Sequence, residues 1–357
     1  MIMLVFLVLG CRPSGRTLPS ATGSIYEVVV VSDESAYQSV QPVMAADMPC
    51  LPQMEPYFHL THVTPQLFDD FLKSARNVLI VETGTGVTVS AQDSVCDESA
   101  GVKARYGRNR WSKPQAVCRI SSPSKEAFGE WWQKNGEQIR EWFVREELAR
   151  AGRFLRGSTN KDAREAMISR LDCDMLIPED YTLIKDTANL VWCCNNKGSM
   201  RRDLIVYRYP YTDAAQFTES SLCAKRDEVM GRLVSASVPG SYMGTEYNVF
   251  PPRMCSIAPL VNGYDGKREA SEKGSGDSFY AYEIRGLWRI FNGEAMGGPY
   301  VSHTRLDPVN GQIVTAEVFI YAAGQKKRNA LRQAESILYT LRLPHERDNA
   351  SQQTATE

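Results

Sequence analysis

The stretch from Val301 to Tyr321 constrains the fold most strongly, because it contains two long β-type runs separated by Asn310-Gly311. Asn-Gly is the dipeptide favoured by a two-residue turn between antiparallel strands. Successive side chains of a strand point to opposite faces, so an even-numbered loop would place His303 and Arg305 on the face that carries the apolar residues of the second run. The second half of the chain is therefore predicted to contain an antiparallel sheet. The apolar residues of that face are Val314, Ala316, Val318 and Ile320.

Further β-type runs and helical patterns extend this prediction along the chain. Helices are predicted over residues 219–233 and 326–341, where apolar residues recur at helical spacing. Thr64-Pro65 and Ser122-Pro123 are predicted helix starts, and the second leads into a long amphipathic helix. Helices grouped against largely antiparallel strands define an α+β protein. The other predicted strands are Ile25–Val31, Tyr57–Val63, Asn77–Glu82, Ala116–Ile120, Tyr181–Lys185, Leu190–Asn195, Leu204–Tyr209 and Phe279–Ile290.

A length of 357 residues is typical of about two domains. The stretch 157–160 interrupts the helical pattern, which restarts at Asp162. We therefore expect two layered α/β subdomains with largely antiparallel sheets and long amphipathic helices, over residues 25–156 and 161–343. The Gly/Ser-rich stretch 267–278 is predicted to be an exposed loop, and residues 344–357 a disordered tail.

The N-terminus carries an apolar run, Ile2–Leu9, that ends just before Cys11. The run has only eight residues, whereas a helix that spans a bilayer needs roughly 20. A short apolar core that ends in small residues is typical of a secretory signal. Residues 1–10 are therefore predicted to be a signal peptide, and residues 11–24 a flexible tether. The alternative is an ordinary hydrophobic N-terminus with a chance cysteine, since no Lys or Arg precedes the run.

Several stretches resemble a known family. Val8-Leu9-Gly10-Cys11 resembles the lipobox of bacterial lipoproteins, in which the cysteine is acylated and becomes the first residue of the mature chain. Together the stretches resemble an uncharacterised lipoprotein family of the Bacteroidota, domain of unknown function 4837. The stretches are the lipobox, ATGSIYEVVVV, PCLPQMEPYFHL, RNVLIVE, MGGPYVSHTRLD and YAAGQKKRNALRQAESILYTL.

This resemblance implies a cellular location but no activity, cofactor or catalytic residue. The implied location is the cell envelope, with the chain held in the membrane through acyl chains on Cys11. Surface-displayed lipoproteins of that phylum carry an acidic signal after the lipidated cysteine, whereas Arg12 and Arg16 follow Cys11 here. This difference favours an outer-membrane anchor that faces the periplasm.

Composition argues against several functions. The net charge is −1 and no long basic block is present, so nucleic acid is not an expected partner. His59 and His62 are three residues apart in a predicted strand, where they would point to opposite sides, and neither a metal nor a cofactor is predicted. Nine cysteines leave eight after Cys11, an even number that could pair in an oxidising compartment. Cys193 and Cys194 are adjacent in a predicted strand and are expected to pack as small apolar residues.

Motifs that would identify an enzyme are absent from the sequence, including GxSxG, HExxH and the Walker loop. Ser-x-x-Lys occurs at Ser122 and at Ser158, but the companion motifs of the penicillin-binding proteins are missing. Helix capping is the interpretation for Ser122, and an interdomain turn for Ser158. The stretch Thr83-Gly84-Thr85-Gly86 is interpreted as a turn rather than a phosphate-binding loop.

His303 and Arg305 are the first candidate ligand-binding residues. Polar groups on an apolar face are costly unless they are paired. One interpretation is that they pair with Asp307, Glu317 or another acid as structural contacts. The other is that they form the floor of a pocket for an anionic or hydroxylated ligand.

The basic start of the last predicted helix is the second candidate site, formed by Lys326, Lys327, Arg328 and Arg332. Basic residues at a helix N-terminus oppose the helix dipole, which costs little on a solvated face. With free backbone N–H groups, the same residues could instead bind an anion such as a headgroup. If the face is solvated, replacing the first three residues by Gln should leave the stability unchanged or slightly raised.

The sequence therefore supports two hypotheses about function. The first is a lipid-anchored cell-envelope protein that acts as a binding or assembly component through protein or glycan contacts. The alternative is a periplasmic hydrolase that uses His303 together with Asp307 or Glu294 for proton transfer. An enzyme requires His303 in a concave pocket, whereas a binding component requires an exposed apolar or aromatic surface.

Overall fold

The computed structural model describes residues 17–84, 94–99, 101–257 and 281–346. The predicted signal peptide, Cys11, the predicted loop 267–278 and residues 347–357 lie outside them. The chain divides into two compact units, the first formed by Met1–Val40 and Leu60–Asn135, the second by Gln41–His59 and Gly136–Glu357. None of the helices in the described ranges is both long and apolar enough to cross a bilayer.

The first unit contains a mixed six-stranded sheet with the order β2-β1-β3-β6-β5-β4. Strand β3 pairs in parallel with both β1 and β6, and β5 pairs antiparallel with β6 and β4. The central strands bury valine and isoleucine side chains, which suits parallel strands that are covered on both faces. The strands are β1 (Glu27–Val31), β2 (His59–Val63), β3 (Asn77–Thr83), β4 (Ser94–Ser99), β5 (Val102–Arg108) and β6 (Ala116–Ser122).

The helix start predicted at Thr64-Pro65 does not lead into one continuous helix. A 3-10 turn covers Pro65–Leu67, and a separate helix α2 covers Asp70–Lys73. The backbone of Phe68 is not helical, and the Asp69 side chain accepts a hydrogen bond from the Leu72 N–H, so that the helix starts anew. The other helices that begin in the first unit are α1 (Glu34–Met44) and α3 (Lys125–Leu155).

The second unit contains an eight-stranded sheet with the order β10-β12-β13-β14-β9-β8-β7, in which β11 also pairs with β12. Each pairing is antiparallel. The predicted hairpin is confirmed, because His303 lies opposite Ala316 and Arg305 opposite Val314. The strands are β7 (Thr182–Thr187), β8 (Leu190–Asn195), β9 (Arg201–Pro210), β10 (Tyr242–Glu246), β11 (Arg253–Ser256), β12 (Ala281–Phe291), β13 (Gly297–Asp307) and β14 (Gln312–Tyr321).

Helices cover both faces of this second sheet. One face packs against α4 (Lys161–Leu171) and α6 (Arg328–Leu338), and the other packs against α5 (Glu219–Leu233). A 3-10 turn at Ala214–Phe217 precedes α5. The α+β class predicted from the sequence is confirmed, with parallel pairs confined, among the named strands, to the first unit.

The segment Gln41–His59 belongs to the second unit although it precedes most of the first unit in the chain. Met48 and Leu51 are buried in the hydrophobic core beneath α6. The second unit is therefore built from two stretches that are far apart in the sequence.

Candidate functional site

His303 lies in the middle of β13 and is only 2% exposed. Its Nε2 lies 3.1 Å from Oε2 of Glu283, which the antiparallel register places directly opposite on β12. The edge of the imidazole contacts the ring of Tyr339, with ring centroids 4.7 Å apart. Both interactions hold the imidazole inside the protein, beneath the end of α6.

His303 is part of a buried charge cluster that also contains Glu283, Arg285, Arg332 and Glu335. Oε1 of Glu283 accepts a hydrogen bond from Arg285 Nε at 2.5 Å, and Arg285 Nη2 donates to Glu335. Nη1 of Arg332 lies 3.1 and 3.0 Å from the two carboxylate oxygens of Glu335. Acids and bases alternate, so each buried charge has an opposite charge beside it. The structure thus brings two sequence candidates, His303 and Arg332, into one network.

The charge cluster sets the ionisation of its own members. Burial opposes ionisation of Glu283, but the adjacent Arg285 and His303 outweigh burial and hold the pKa of this carboxyl well below its usual range. Burial, together with Glu283 and Glu335, raises the pKa of Tyr339 well above that of a free tyrosine. Neither group therefore exchanges a proton near neutral pH.

Arg305 binds the C-terminal segment rather than a pocket. Its Nη1 donates to the Leu341 carbonyl at 3.1 Å, and its Nη2 donates to the carboxylate of Glu346. The acids that pair with His303 and Arg305 are therefore Glu283 and Glu346. Neither is one of the two acids named from the sequence.

The two acids named from the sequence have other partners. The Asp307 carboxylate accepts hydrogen bonds from the Val309 N–H at 3.0 Å and from the Asn310 side chain at 2.8 Å, and so stabilises the hairpin turn. Glu317 points to the opposite face of the sheet, where it forms a buried ion pair with Arg226 at 2.8 Å.

The interpretation of the basic helix start as a solvated face is wrong for three of its four residues, Lys327, Arg328 and Arg332. Lys326 is exposed, but Lys327 and Arg328 are buried. The Glu55 carboxylate, itself buried, accepts the backbone N–H of Lys327 at 2.6 Å and that of Arg328 at 3.2 Å. An anion therefore does sit at this helix N-terminus, and it is a carboxylate of the chain itself.

The basic side chains at this helix start are also bonded. Lys327 Nζ donates to the Gln325 carbonyl at 2.7 Å, and Arg328 Nη1 donates to the Pro56 carbonyl at 2.6 Å. Burial lowers the pKa of Lys327, and the nearby Glu55 offsets part of this effect. These contacts attach the segment Gln41–His59 to the start of α6.

The residues proposed for a hydrolase are not assembled. Asp307 lies four residues beyond His303 on the same strand, a separation of about 13 Å, and Glu294 is exposed in the turn between β12 and β13. The Ser-x-x-Lys serines have structural contacts: Ser122 Oγ donates to the Ser124 carbonyl, and Ser158 Oγ donates to Glu179. The cap of α3 is Ser124, which accepts the Ala127 N–H, so capping by Ser122 is wrong.

One arrangement that resembles a catalytic triad was not anticipated from the sequence. In the first unit, Ser32 Oγ lies 3.2 Å from His62 Nε2, and His62 Nδ1 lies 3.7 Å from the Glu34 carboxylate. Ser32 is completely buried, however, and its Oγ also lies within hydrogen-bond distance of the Asp33 carbonyl. A nucleophile must be reachable by its substrate, so this arrangement serves the packing of α1 against β2.

The thiols and acids in the described ranges do not form a redox or metal centre. No group of three or more His, Cys, Asp or Glu residues in those ranges is arranged to hold a metal ion. Cys193 and Cys194 are free, buried thiols, and burial raises the pKa of Cys193 to about 12. A buried thiol with a raised pKa is unreactive.

An exposed apolar loop, Tyr247–Phe250, follows β10 and was also not anticipated. Val249 is 65% exposed, and Tyr247 and Phe250 are exposed as well. The Glu246 carboxylate accepts the N–H groups of Asn248 at 2.7 Å and of Val249 at 3.3 Å. The Tyr247 hydroxyl donates to Asp227 at 3.1 Å. These bonds fix the backbone at Asn248 and Val249 and the ring of Tyr247, while Val249 and Phe250 remain exposed.

The outer edge of β10, next to this loop, is closed to further strands. The Met243 N–H donates to the Val234 carbonyl at 3.0 Å, and the Thr245 N–H donates to the Asp227 carboxylate at 2.8 Å. Any partner at this place would therefore contact side chains of the apolar loop rather than extend the sheet.

The structure is thus that of a two-unit α+β protein with buried charge networks and an exposed apolar loop. The family model described as domain of unknown function (DUF4837) matches residues 160–340, and the model of a second domain of unknown function (DUF8532) matches residues 21–156. The chain belongs to the DUF4837 family.

Comparison with other proteins adds little about activity. No curated protein matches the chain. The Saccharomyces cerevisiae Ran-binding protein Mog1p is similar with 7% identity and a TM-score of 0.30, covering 48% of this chain and 90% of that chain. A mutant of protein Mog1 is similar with 6% identity and a TM-score of 0.28, with the same coverage. Such scores carry no conclusion about function.

Proposed function

We propose that this protein is a lipid-anchored component of the cell envelope and that it binds or assembles with other envelope molecules rather than catalysing a reaction. The anchor is Cys11, which follows the eight-residue apolar run and precedes a polar tether. Several acyl chains on one residue hold a protein firmly in a bilayer, because each buried methylene contributes about 0.8 kcal/mol. The basic tether favours the periplasmic side of the outer membrane.

The observation that carries the binding role is the apolar loop Tyr247–Phe250. A loop whose backbone is already fixed by hydrogen bonds loses little conformational entropy on binding, which favours affinity. Charges of both signs lie beside the loop, including Arg289, which is bonded to Glu246, and Asp227. An apolar centre with a polar rim is the usual anatomy of a protein interface.

The burial of His303 supports a binding role over the hydrolase alternative. A general base must come within hydrogen-bond reach of its substrate, and His303 is enclosed between Glu283 and Tyr339. Its interactions are those of a structural residue.

Two measurements test this proposal. The membrane-extracted protein should have an intact mass that lacks residues 1–10 and includes acyl chains, and Cys11→Ala should leave the membrane fraction without detergent. Equal recovery of Cys11→Ala and wild type from washed membranes would refute the anchor.

The binding role is tested by crosslinking in native membranes. Val249→Ser with Phe250→Ser should remove adducts that the wild type forms. Phe154→Ser is the matched control, because Phe154 is also exposed and lies at the end of α3. Identical adduct patterns in all three proteins would refute the role of the loop.

A further inference from the structure

A second exposed apolar surface lies in the first unit, and we call Leu67 and Phe71 the tether patch. Leu67 is 67% exposed and Phe71 is 74% exposed. The neighbouring Phe68 and Leu72 pack inward against the core of the sheet. Because Phe68 and Leu72 are packed against the core, they hold the backbone from which Leu67 and Phe71 project into solvent.

The N-terminal segment of the described chain is bound next to this patch. The Thr22 N–H donates to the Ser74 carbonyl at 2.9 Å, and the two hydroxyls of these residues lie 2.8 Å apart. Ser74 ends helix α2, and its own N–H donates to the Phe71 carbonyl. The chain therefore enters the first unit within one helical turn of Phe71.

The point at which the chain joins the first unit limits how far Cys11 can lie from that unit. The Lys113 N–H donates to the Pro19 carbonyl at 2.8 Å, and the Ala21 N–H donates to the Lys113 carbonyl at 3.1 Å. The chain is thus fixed to the first unit from Pro19 onward. The eight residues from Cys11 to Pro19 span about 28 Å at most, so an acylated Cys11 would keep this surface close to its bilayer.

We propose that Leu67 and Phe71 insert into the interfacial layer of the bilayer that holds Cys11, so that the protein has a second, non-covalent membrane contact. The proposal deepens the proposed function and rests on the lipid anchor named there. The occupant of the tether patch is a lipid surface.

The charges around the patch suit a lipid surface. Lys73 pairs with Asp70 at 2.9 Å within α2. Arg110 and Lys113 lie in a loop that contacts the end of α2, where Ser112 Oγ donates to the Ser74 carbonyl at 2.9 Å. The guanidinium of Arg110 lies 5.1 Å from the centroid of the Trp111 ring, and Trp111 packs edge-on against Phe68. Basic residues such as Arg110 and Lys113 attract anionic headgroups, and tryptophan is favoured at the membrane interface.

The direct test is photocrosslinking of the full chain, expressed with its own leader, in native membranes. Phe71 is replaced by p-benzoylphenylalanine, and adducts at position 71 are identified by mass spectrometry. Leu18 and Phe154 receive the same replacement as controls. Leu18 follows Cys11 closely in the sequence, and Phe154 matches Phe71 in exposure at 77%. The expected result is phospholipid adducts at positions 18 and 71, with at least fivefold less at position 154. Protein adducts at position 71, no adduct there, or equal lipid labelling at 71 and 154 would overturn the proposal.

A second measurement separates this proposal from the anchor. The mature chain carrying one palmitoyl group on Cys11 is titrated with vesicles of phosphatidylcholine and phosphatidylglycerol, because a single chain anchors only marginally. Leu67→Ser with Phe71→Ser should weaken partitioning at least tenfold, and Phe154→Ser less than twofold. Equal partitioning of all variants would refute the lipid contact of the tether patch, but it would not argue against the acyl anchor on Cys11. Absence of acyl mass in the native protein, with the tenfold loss retained, would refute the anchor and leave the lipid contact.

Discussion

Removal of the Glu55 carboxylate should destabilise the start of α6. Glu55 is buried and accepts two backbone N–H groups at the helix N-terminus, from Lys327 and Arg328. In Glu55→Ala both donors stay buried without this acceptor, and the helix dipole loses its facing anion. In Glu55→Gln one side-chain oxygen remains as an acceptor but the charge is lost.

The size of the effect follows from the contacts that are removed. Loss of an ordinary N-cap costs about 1 kcal/mol, and a hydrogen bond to a charged group contributes about 1.5–3 kcal/mol. Two such bonds at one carboxylate predict a loss of about 3 kcal/mol for Glu55→Ala and about half of that for Glu55→Gln. A 3 kcal/mol loss corresponds to a decrease of roughly 6–12 °C in the melting temperature of a unit of this size.

Hydrogen exchange of the peptide that contains α6 is the sharpest assay, since the two compact units need not unfold together. Its amides should exchange roughly 100-fold faster in Glu55→Ala if 3 kcal/mol is lost. Glu294→Ala is the control, because Glu294 is exposed in a turn. Exchange in Glu55→Ala that matches this control would refute the role of Glu55 as the cap of α6.

The remaining predictions concern the charge cluster and the basic helix start. His303→Ala should cost about 2 kcal/mol in thermal unfolding, because Glu283 loses a buried partner; unchanged stability with loss of a measured activity would favour the hydrolase instead. The pKa of Glu283 is lower in the folded protein than in the unfolded chain, where it is about 4.3. Its ionised form therefore stabilises the fold at pH values above about 4.3, and this stabilisation is lost as the pH falls toward the pKa of the folded state. Glu283→Gln should therefore flatten the loss of unfolding free energy below about pH 4.5, and an unchanged slope would contradict this linkage. Lys326→Gln should leave the melting temperature unchanged, whereas Lys327→Gln should lower it because a buried donor is altered; equal effects would contradict the burial of Lys327.

The sequence correctly predicted a helix and a hairpin that are determined by residues close together in the chain. The helix predicted over 219–233 has the observed bounds, and the Asn310-Gly311 turn correctly predicted that His303 shares a face with Ala316. A short turn fixes the register of the two strands that it joins. Because successive side chains point to opposite faces, the register then determines which side chains share a face.

Contacts between distant residues could not be predicted in this way. Glu283 meets His303 across a pairing whose turn, residues 292–296, is too long to determine the register from its sequence. Helix α1 was missed because it contains Pro42, which is unfavourable inside a helix. The N-cap Asp33, which accepts the Ala36 N–H, is the local signal that would have indicated it. Exposure of Leu67 and Phe71 depends on the break at Phe68, which the helical pattern does not reveal.

The bond between Glu55 and Lys327 also determines when the second unit can be completed. These residues are 272 positions apart in the chain, so the segment Gln41–His59 is synthesised long before its partner helix exists. The equilibrium cost of closing a loop grows only slowly with its length, but so long a loop slows the search for native contacts. A chain shortened before α6 would leave Met48 and Leu51 uncovered. Helix α6 must therefore be synthesised before this part of the core can be covered.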